Sequence, residues 1–239
     1  MFHGLRACEA VFARRPEAIV RVYLAEHNRR QLQPLLDWCV KHRKGFQIVA
    51  DENLQKLTGS IHHEGVAILA KSLSIWSLDE LLQAIETKQV TGPLLYLDGV
   101  QNPHNLGSIL RTAAHFGVAA VLGRAGELPA VSPAAVRVAE GAAEFVPVCE
   151  LAAPPSDLLR LKQAGYRVVA SSSHRGQPLD RKVFGNRCLI VLGGEGEGVS
   201  RLIESTADTC VRITGTGAVE SLNVAVACGI ILSAATART

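Results

Sequence analysis

Residues 188–200 read CLIVLGGEGEGVS. Cys188 to Leu192 is a short, continuously apolar run, and the glycine-rich turn Gly193–Ser200 follows it at once. A run of that length closed by glycines reads as a strand buried on both faces. A glycine-rich turn after such a strand commonly cradles a phosphate, because backbone N–H groups can approach the anion. This turn carries two carboxylates instead, Glu195 and Glu197, which would repel a phosphate. The nucleotide fingerprints do not fit either. Gly194, Gly196 and Gly198 alternate with other residues and do not follow GxGxxG, and no Lys follows as in a P-loop. The turn suits a ligand with a ribose, a base or a positive centre; a plain solvent-exposed turn is the alternative.

Outward from this turn, the last part of the chain repeats strand, loop and helix. Strands are expected at Leu94–Leu97, Ala119–Leu122, Phe145–Val148, Arg167–Ala170, Leu189–Leu192 and Val211–Ile213. Helices are expected at Leu106–Phe116, Pro133–Glu140, Ser156–Ala164 and Leu222–Ala235. Apolar strands alternating with helices predict an α/β fold with a parallel sheet covered on both faces. Ligands of such sheets bind beyond the carboxyl ends of the strands. Three polar or glycine-rich segments fall at such ends: Asp98–Asn105, Gly193–Ser200 and Thr214–Asn223.

Before this zone, Leu5–Ala13, Arg29–Arg43 and Leu54–Leu57 have helical spacing, and Ile19–Leu24, Phe46–Ala50 and Val66–Ala70 have strand character. That alternation predicts a small α/β sandwich over residues 1–72. Residues 73–92 read as a linker containing one amphipathic helix, Leu78–Thr87, and residues 93–239 as the larger domain. Charge is uneven: residues 1–72 hold 11 Lys/Arg against 7 Asp/Glu, residues 73–92 hold 1 against 3, and residues 93–239 hold 13 against 12. The basic excess of the first zone suits contact with phosphates, or is an ordinary solvated surface.

Cys8, Cys39, Cys149, Cys188, Cys210 and Cys228 lie far apart, with no CxxC pair, so the expectation is reduced thiols and no metal site. His62 and His63 are adjacent rather than one helical turn apart, which argues against a metal pair. The first residues, MFHGLRACEAVFARR, lack the apolar core of a signal peptide, and Leu222–Ala237 is too short and mixed to span a bilayer. A cytoplasmic protein is expected.

Two further segments carry chemistry. In DGVQNPHNLGSILRTAAHFG, residues 98–117, Asn105 is expected to cap the following helix. Arg111 lies six positions later, about 120° round that helix. It is either a functional cation or a surface residue beside Ser108 and His115. In VRITGTGAVESLNVAVACGIIL, residues 211–232, Ser221 and Asn223 present a hydroxyl and an amide at a helix N-terminus. Ordinary capping by Ser221 is the alternative.

Together, NPHNLGSILRTA, VLGGEGEGVS and ITGTGAVESLNVAVA, in that order, resemble the three motifs of the SpoU/TrmH branch of the SPOUT RNA methyltransferases. The stretch from FHGLRACEAVF through EGVAILA also looks like the small substrate-binding domain of that family, similar to ribosomal protein L30e. The resemblance implies S-adenosylmethionine as cofactor, 2′-O-methylation of an RNA ribose, a homodimer, and a deep trefoil knot in the C-terminal part of the chain. It implies ribosomal RNA as substrate before transfer RNA. By the same match, Asn105, Arg111, Glu195, Ser221 and Asn223 stand at catalytic positions, and Gly193, Gly194, Ile213 and Leu222 line the cofactor. In the family the motif-one Arg reaches the site across the dimer interface. A sulfonium cofactor without phosphate accounts for carboxylates in the turn. The chain departs from the family at Thr214, where Pro is usual, at Asn102, where Asp is common, and at Val199, where Leu is common. Two other readings stand beside it: a catalytically idle dimeric RNA-binding scaffold, and a nicotinamide oxidoreductase, against which the missing fingerprint argues.

Overall fold

The computed structural model describes residues 1–129, 131–185 and 187–236. In chain order the elements are β1 (Phe2–His3), α1 (Leu5–Arg14), β2 (Ile19–Leu24), α2 (Gln33–Lys41), β3 (Gly45–Ile48), α3 (Asp51–Thr58) and β4 (Val66–Ala70). Then come β5 (Trp76–Ser77), α4 (Leu78–Glu86), β6 (Leu94–Asp98), α5 (Pro103–His115), β7 (Ala120–Arg124) and α6 (Pro133–Val138). The rest are β8 (Val148–Leu151), α7 (Pro154–Gln163), β9 (Arg167–Ser171), β10 (Gln177–Pro178), β11 (Cys188–Gly193), α8 (Arg201–Glu204), β12 (Thr209–Arg212) and α9 (Val224–Thr236). They form two compact units, Met1–Leu73 with Val131–Phe145, and Ser74–Ala130 with Val146–Thr239.

The first unit is α/β, with a four-stranded sheet in the order β1-β4-β2-β3. β2 runs parallel to β3 and antiparallel to β4. Apolar residues of the strands (Ile19, Val22, Leu24, Val66, Ile68) and of the helices (Cys8, Val11, Leu35, Cys39, Leu54) are buried. The later stretch is held in this unit by an ion pair. Arg15 grips Glu144 with two N–H donors, at 2.5 and 2.9 Å, and the Glu144 side chain is 1% exposed. A bidentate guanidinium–carboxylate pair fixes direction as well as distance.

The second unit carries an eight-stranded sheet in the order β10-β12-β9-β11-β6-β7-β8-β5, parallel throughout. The central strands β6 and β11 are apolar on both faces because both are covered: Leu94, Leu95, Tyr96, Leu189, Ile190 and Val191 are fully buried. β11 slots between β6 and β9, although both precede it in the chain. α4 opens with a capping box: Ser77 Oγ accepts from the Glu80 N–H while Glu80 accepts from the Ser77 N–H at 2.7 Å. Its Leu78, Leu81, Ala84 and Ile85 join the apolar core of this unit.

Several boundaries differ from the sequence expectation. The strand expected at Phe145–Val148 begins only at Val148. Residues 142–144 make a 3₁₀ turn, and Pro147 has no N–H to give a ladder, though its carbonyl accepts from Val121 N–H. The helix expected over Arg29–Arg43 is confined to Gln33–Lys41, with Pro34 in its first turn. The two-residue strands β1, β5 and β10 are too short to leave a periodic signal.

Candidate active site

β6, β11 and β12 are parallel members of one sheet, so their carboxyl ends lie along the same edge. The segments that leave those ends are the three singled out in the sequence.

Gly193 and Gly194 have a steric reason to be glycine. A Cβ on Gly193 would fall 2.0 Å from the Gly198 carbonyl carbon, and one on Gly194 would fall 2.3 Å from Gly99 O. The turn closes on itself through a bridge between Gly194 and Gly198. It is anchored by Asp98, the last residue of β6, which is 8% exposed. The Asp98 carbonyl accepts from Gly194 N–H at 2.7 Å, and its Oδ2 accepts from Ser200 N–H at 2.7 Å.

Asn105 is not the cap of α5. Asn102 takes that place, its side chain accepting from the His104 N–H at 2.9 Å with Pro103 in the first turn. Asn105 is thereby left inside the first turn, with its amide directed to the glycine turn. Its Nδ2 donates to Glu195 Oε1 at 3.0 Å. Ser221 does not cap α9 either. Asn223 Oδ1 accepts from the Ala225 and Val226 N–H groups at 2.9 and 3.4 Å. That use of the oxygen sets the amide orientation and turns Nδ2 outward. Nδ2 donates to Glu195 Oε1 at 2.9 Å and to Asn105 Oδ1 at 3.1 Å.

Three of the five residues expected at catalytic positions, Asn105, Glu195 and Asn223, therefore form one hydrogen-bonded cluster drawn from three segments. Arg111 lies on the exposed side of α5, and Ser221 and Leu222 lie in the exposed stretch before α9. Ile213, directly after β12, is half-buried. Asp98 was missed as an anchor; an acidic residue ending an otherwise apolar strand was the available signal. Among the described residues no group of three or more His, Cys, Asp or Glu could hold a metal ion. Among the same residues no helix is long and apolar enough to cross a membrane.

A parallel α/β sheet that gathers three polar or glycine-rich segments at its carboxyl edge is an α/β fold with its ligand site at the strand ends. Residues 92–233 match the SpoU rRNA Methylase family, and residues 2–76 match the family described as RNA 2'-O ribose methyltransferase substrate binding. The chain belongs to the SpoU rRNA methylase family. It is 37% identical over 235 residues to the 23S rRNA (guanosine-2'-O-)-methyltransferase RlmB of Ralstonia nicotianae, covering 96% of this chain and 92% of that one. It is 36% identical over 230 residues to the uncharacterized tRNA/rRNA methyltransferase YfiF of Escherichia coli O157:H7, covering 96% of this chain and spanning 66% of that relative's length. Its fold is similar to that of the SpoU methyltransferase AviRb from Streptomyces viridochromogenes, solved in complex with the cofactor AdoMet. The TM-score is 0.74 at 22% identity, over 98% of this chain and 88% of that one.

Proposed function

We propose that the chain is an S-adenosylmethionine-dependent methyltransferase acting on the 2′-hydroxyl of a ribose in structured RNA, with ribosomal RNA favoured over transfer RNA. The observation that carries this reading is the convergence of the Asn105 and Asn223 amides on one oxygen of the Glu195 carboxylate. The donor set fits the cofactor: the Gly193–Ser200 turn holds two carboxylates and no cation, which suits a sulfonium and disfavours a phosphate. S-adenosylmethionine, when bound, supplies an electrophilic methyl group. The backbone at Gly193, Gly194, Ile213 and Leu222 holds the adenosine. Ser221 and Asn223 orient the reactants, and proximity and alignment supply much of the rate. Glu195 fixes the two amides. Arg111 acts as an electrostatic clamp on the target phosphate or the developing alkoxide, because a guanidinium keeps its proton near neutral pH.

The protein acts as a homodimer, with Arg111 of one protomer serving the site of the other. Exposed apolar side chains on and before α9 support this: Leu222, Val226 and Ile230 are 43%, 52% and 38% exposed. A trefoil knot is supported by the insertion of β11 between β6 and β9. The unit of residues 1–73 and 131–145 binds the body of the RNA, and the unit of residues 74–130 and 146–239, which takes in the expected linker through β5 and α4, carries the reaction, in the cytoplasm where such RNA is found.

The test is incubation of the purified chain with radiolabelled S-adenosylmethionine and ribosomal or transfer RNA, followed by mapping of alkali-resistant linkages. Label at a ribose 2′-oxygen is expected. Saturable cofactor binding without transfer to any RNA removes the activity, and no saturable binding at all leaves the idle scaffold.

A further inference from the structure

We propose that Asp98 is a positioning residue of the reaction, the clamp that sets where Glu195 stands. The inference rests on the activity proposed above. Asp98 ends β6 opposite Gly193 in the ladder, so it faces the last residue of β11 before the chain turns. One residue then holds both ends of the turn. Its carbonyl oxygen takes the Gly194 N–H at 2.7 Å, immediately before Glu195. Its carboxylate takes the N–H of Ser200, the last residue of the turn, at 2.7 Å. Between these anchors the backbone has little latitude, because the Gly194–Gly198 bridge closes it and no side chain fits at Gly193 or Gly194.

A buried carboxylate accepting from a backbone amide makes a stronger bond than a neutral acceptor. At 8% exposure, water competes little for it. Nothing in this arrangement requires Asp98 to touch a reacting atom. Its effect passes through the turn to Glu195, and from Glu195 to the amides of Asn105 and Asn223. Removing the carboxylate frees the Ser200 end while the Gly194 end, held by the main chain, stays attached. The turn then pivots about one anchor and the Glu195 oxygen loses its fixed place.

Two substitutions test this on the full chain, read per cofactor-binding site so that misfolded protein is not counted. Asp98→Ala is expected to lower kcat about 100-fold, the scale of a misplacement of about 1 Å, with KM for RNA little changed. Asp98→Asn keeps an oxygen for Ser200 N–H and is expected to recover at least tenfold of that loss (about 1.4 kcal/mol). An Asp98→Ala chain that turns over within threefold of wild type overturns the proposal, and so does an Asn variant no better than Ala. A second measurement does not depend on activity. Amide exchange at Ser200 is expected to be slow in the wild type and at least tenfold faster in Asp98→Ala, with Gly194 much less affected. Equal Ser200 rates overturn the clamp. If the wild type transfers no methyl group, the proposed activity fails, and the exchange rates alone decide whether Asp98 holds the turn.

Discussion

The Asn223 amide donates to Glu195 Oε1 at 2.9 Å while its own oxygen caps α9, so one side chain serves both a helix end and the carboxylate of the glycine turn. The two duties separate by substitution. Asn223→Asp retains a capping oxygen but cannot donate to Glu195 and brings a second negative charge beside it. It is expected to keep its melting temperature within about 3 °C and lose about 100-fold in kcat. Asn223→Ala loses both functions, with about 1 kcal/mol of stability gone with the cap. Thermal unfolding and single-turnover methylation, run side by side, check the pair.

The glycine turn distinguishes contact from backbone strain. Gly193→Ala drives a Cβ to 2.0 Å from main-chain carbon, where no rotamer can relieve it. A loss of about 3 kcal/mol and of detectable cofactor binding is expected. Gly196 has open space around it but a φ of 95°, so Gly196→Ala costs only strain, about 1 kcal/mol. Calorimetric titration and urea unfolding should place the two variants far apart.

Arg111→Ala is expected to reduce turnover by about 1,000-fold and to weaken cofactor binding less than threefold. Equal losses in both would mean that Arg111 holds the cofactor pocket together and does not act on the transferring group.

Acid sensitivity should follow Asp208. Burial alone would raise its pKa, but hydrogen bonds from Lys162 and the Val168 N–H outweigh that and hold the carboxyl below its ordinary value. A depressed carboxyl stabilises the fold at pH above its unfolded pKa, and that stability is lost as pH falls through the folded pKa. Asp208→Asn is expected to cost about 1 kcal/mol at pH 7 and progressively less as the pH falls below the ordinary carboxylate range. Urea midpoints of both proteins across an acid titration measure the difference.

The thiols should be nearly silent in the native protein. Cys8, Cys39, Cys149, Cys188 and Cys228 are buried, and burial pushes the thiols of Cys149 and Cys228 up to about 12 and that of Cys188 up to about 11. Thiolate is the reactive form. Ellman's reagent at pH 8 is expected to find at most one fast thiol, the partly exposed Cys210, and all six only after unfolding.

What the sequence disclosed divides by the range of the interaction. Apolar runs such as Leu94–Leu97 and Leu189–Leu192 announced their burial, because a strand covered on both faces needs no partner to be recognised. The cap of α5 is Asn102 and not the expected Asn105, and at α9 the capping role held open for Ser221 falls to Asn223. Asn102 and Asn105 are both good capping residues, and only Pro103, fixed at the first helical position, favours Asn102. At α9, Ser221 and Asn223 compete in the same way, and the winner is the one whose amide also finds Glu195. The pairing of Asp98 with Ser200 spans 102 residues and leaves no local pattern.

The bidentate grip of Arg15 on Glu144 has a consequence for biosynthesis. A nascent chain emerges from its amino end, and domains ordinarily fold as they emerge. The first unit has to wait. Its carboxylate partner and helix α6 arrive only after β7 has been made, so a ribosome stalled before residue 131 would expose an incomplete hydrophobic core. A fragment cut at residue 73 would carry the same defect permanently, and a grafted or minimised version of this unit needs residues 131–145 supplied with it.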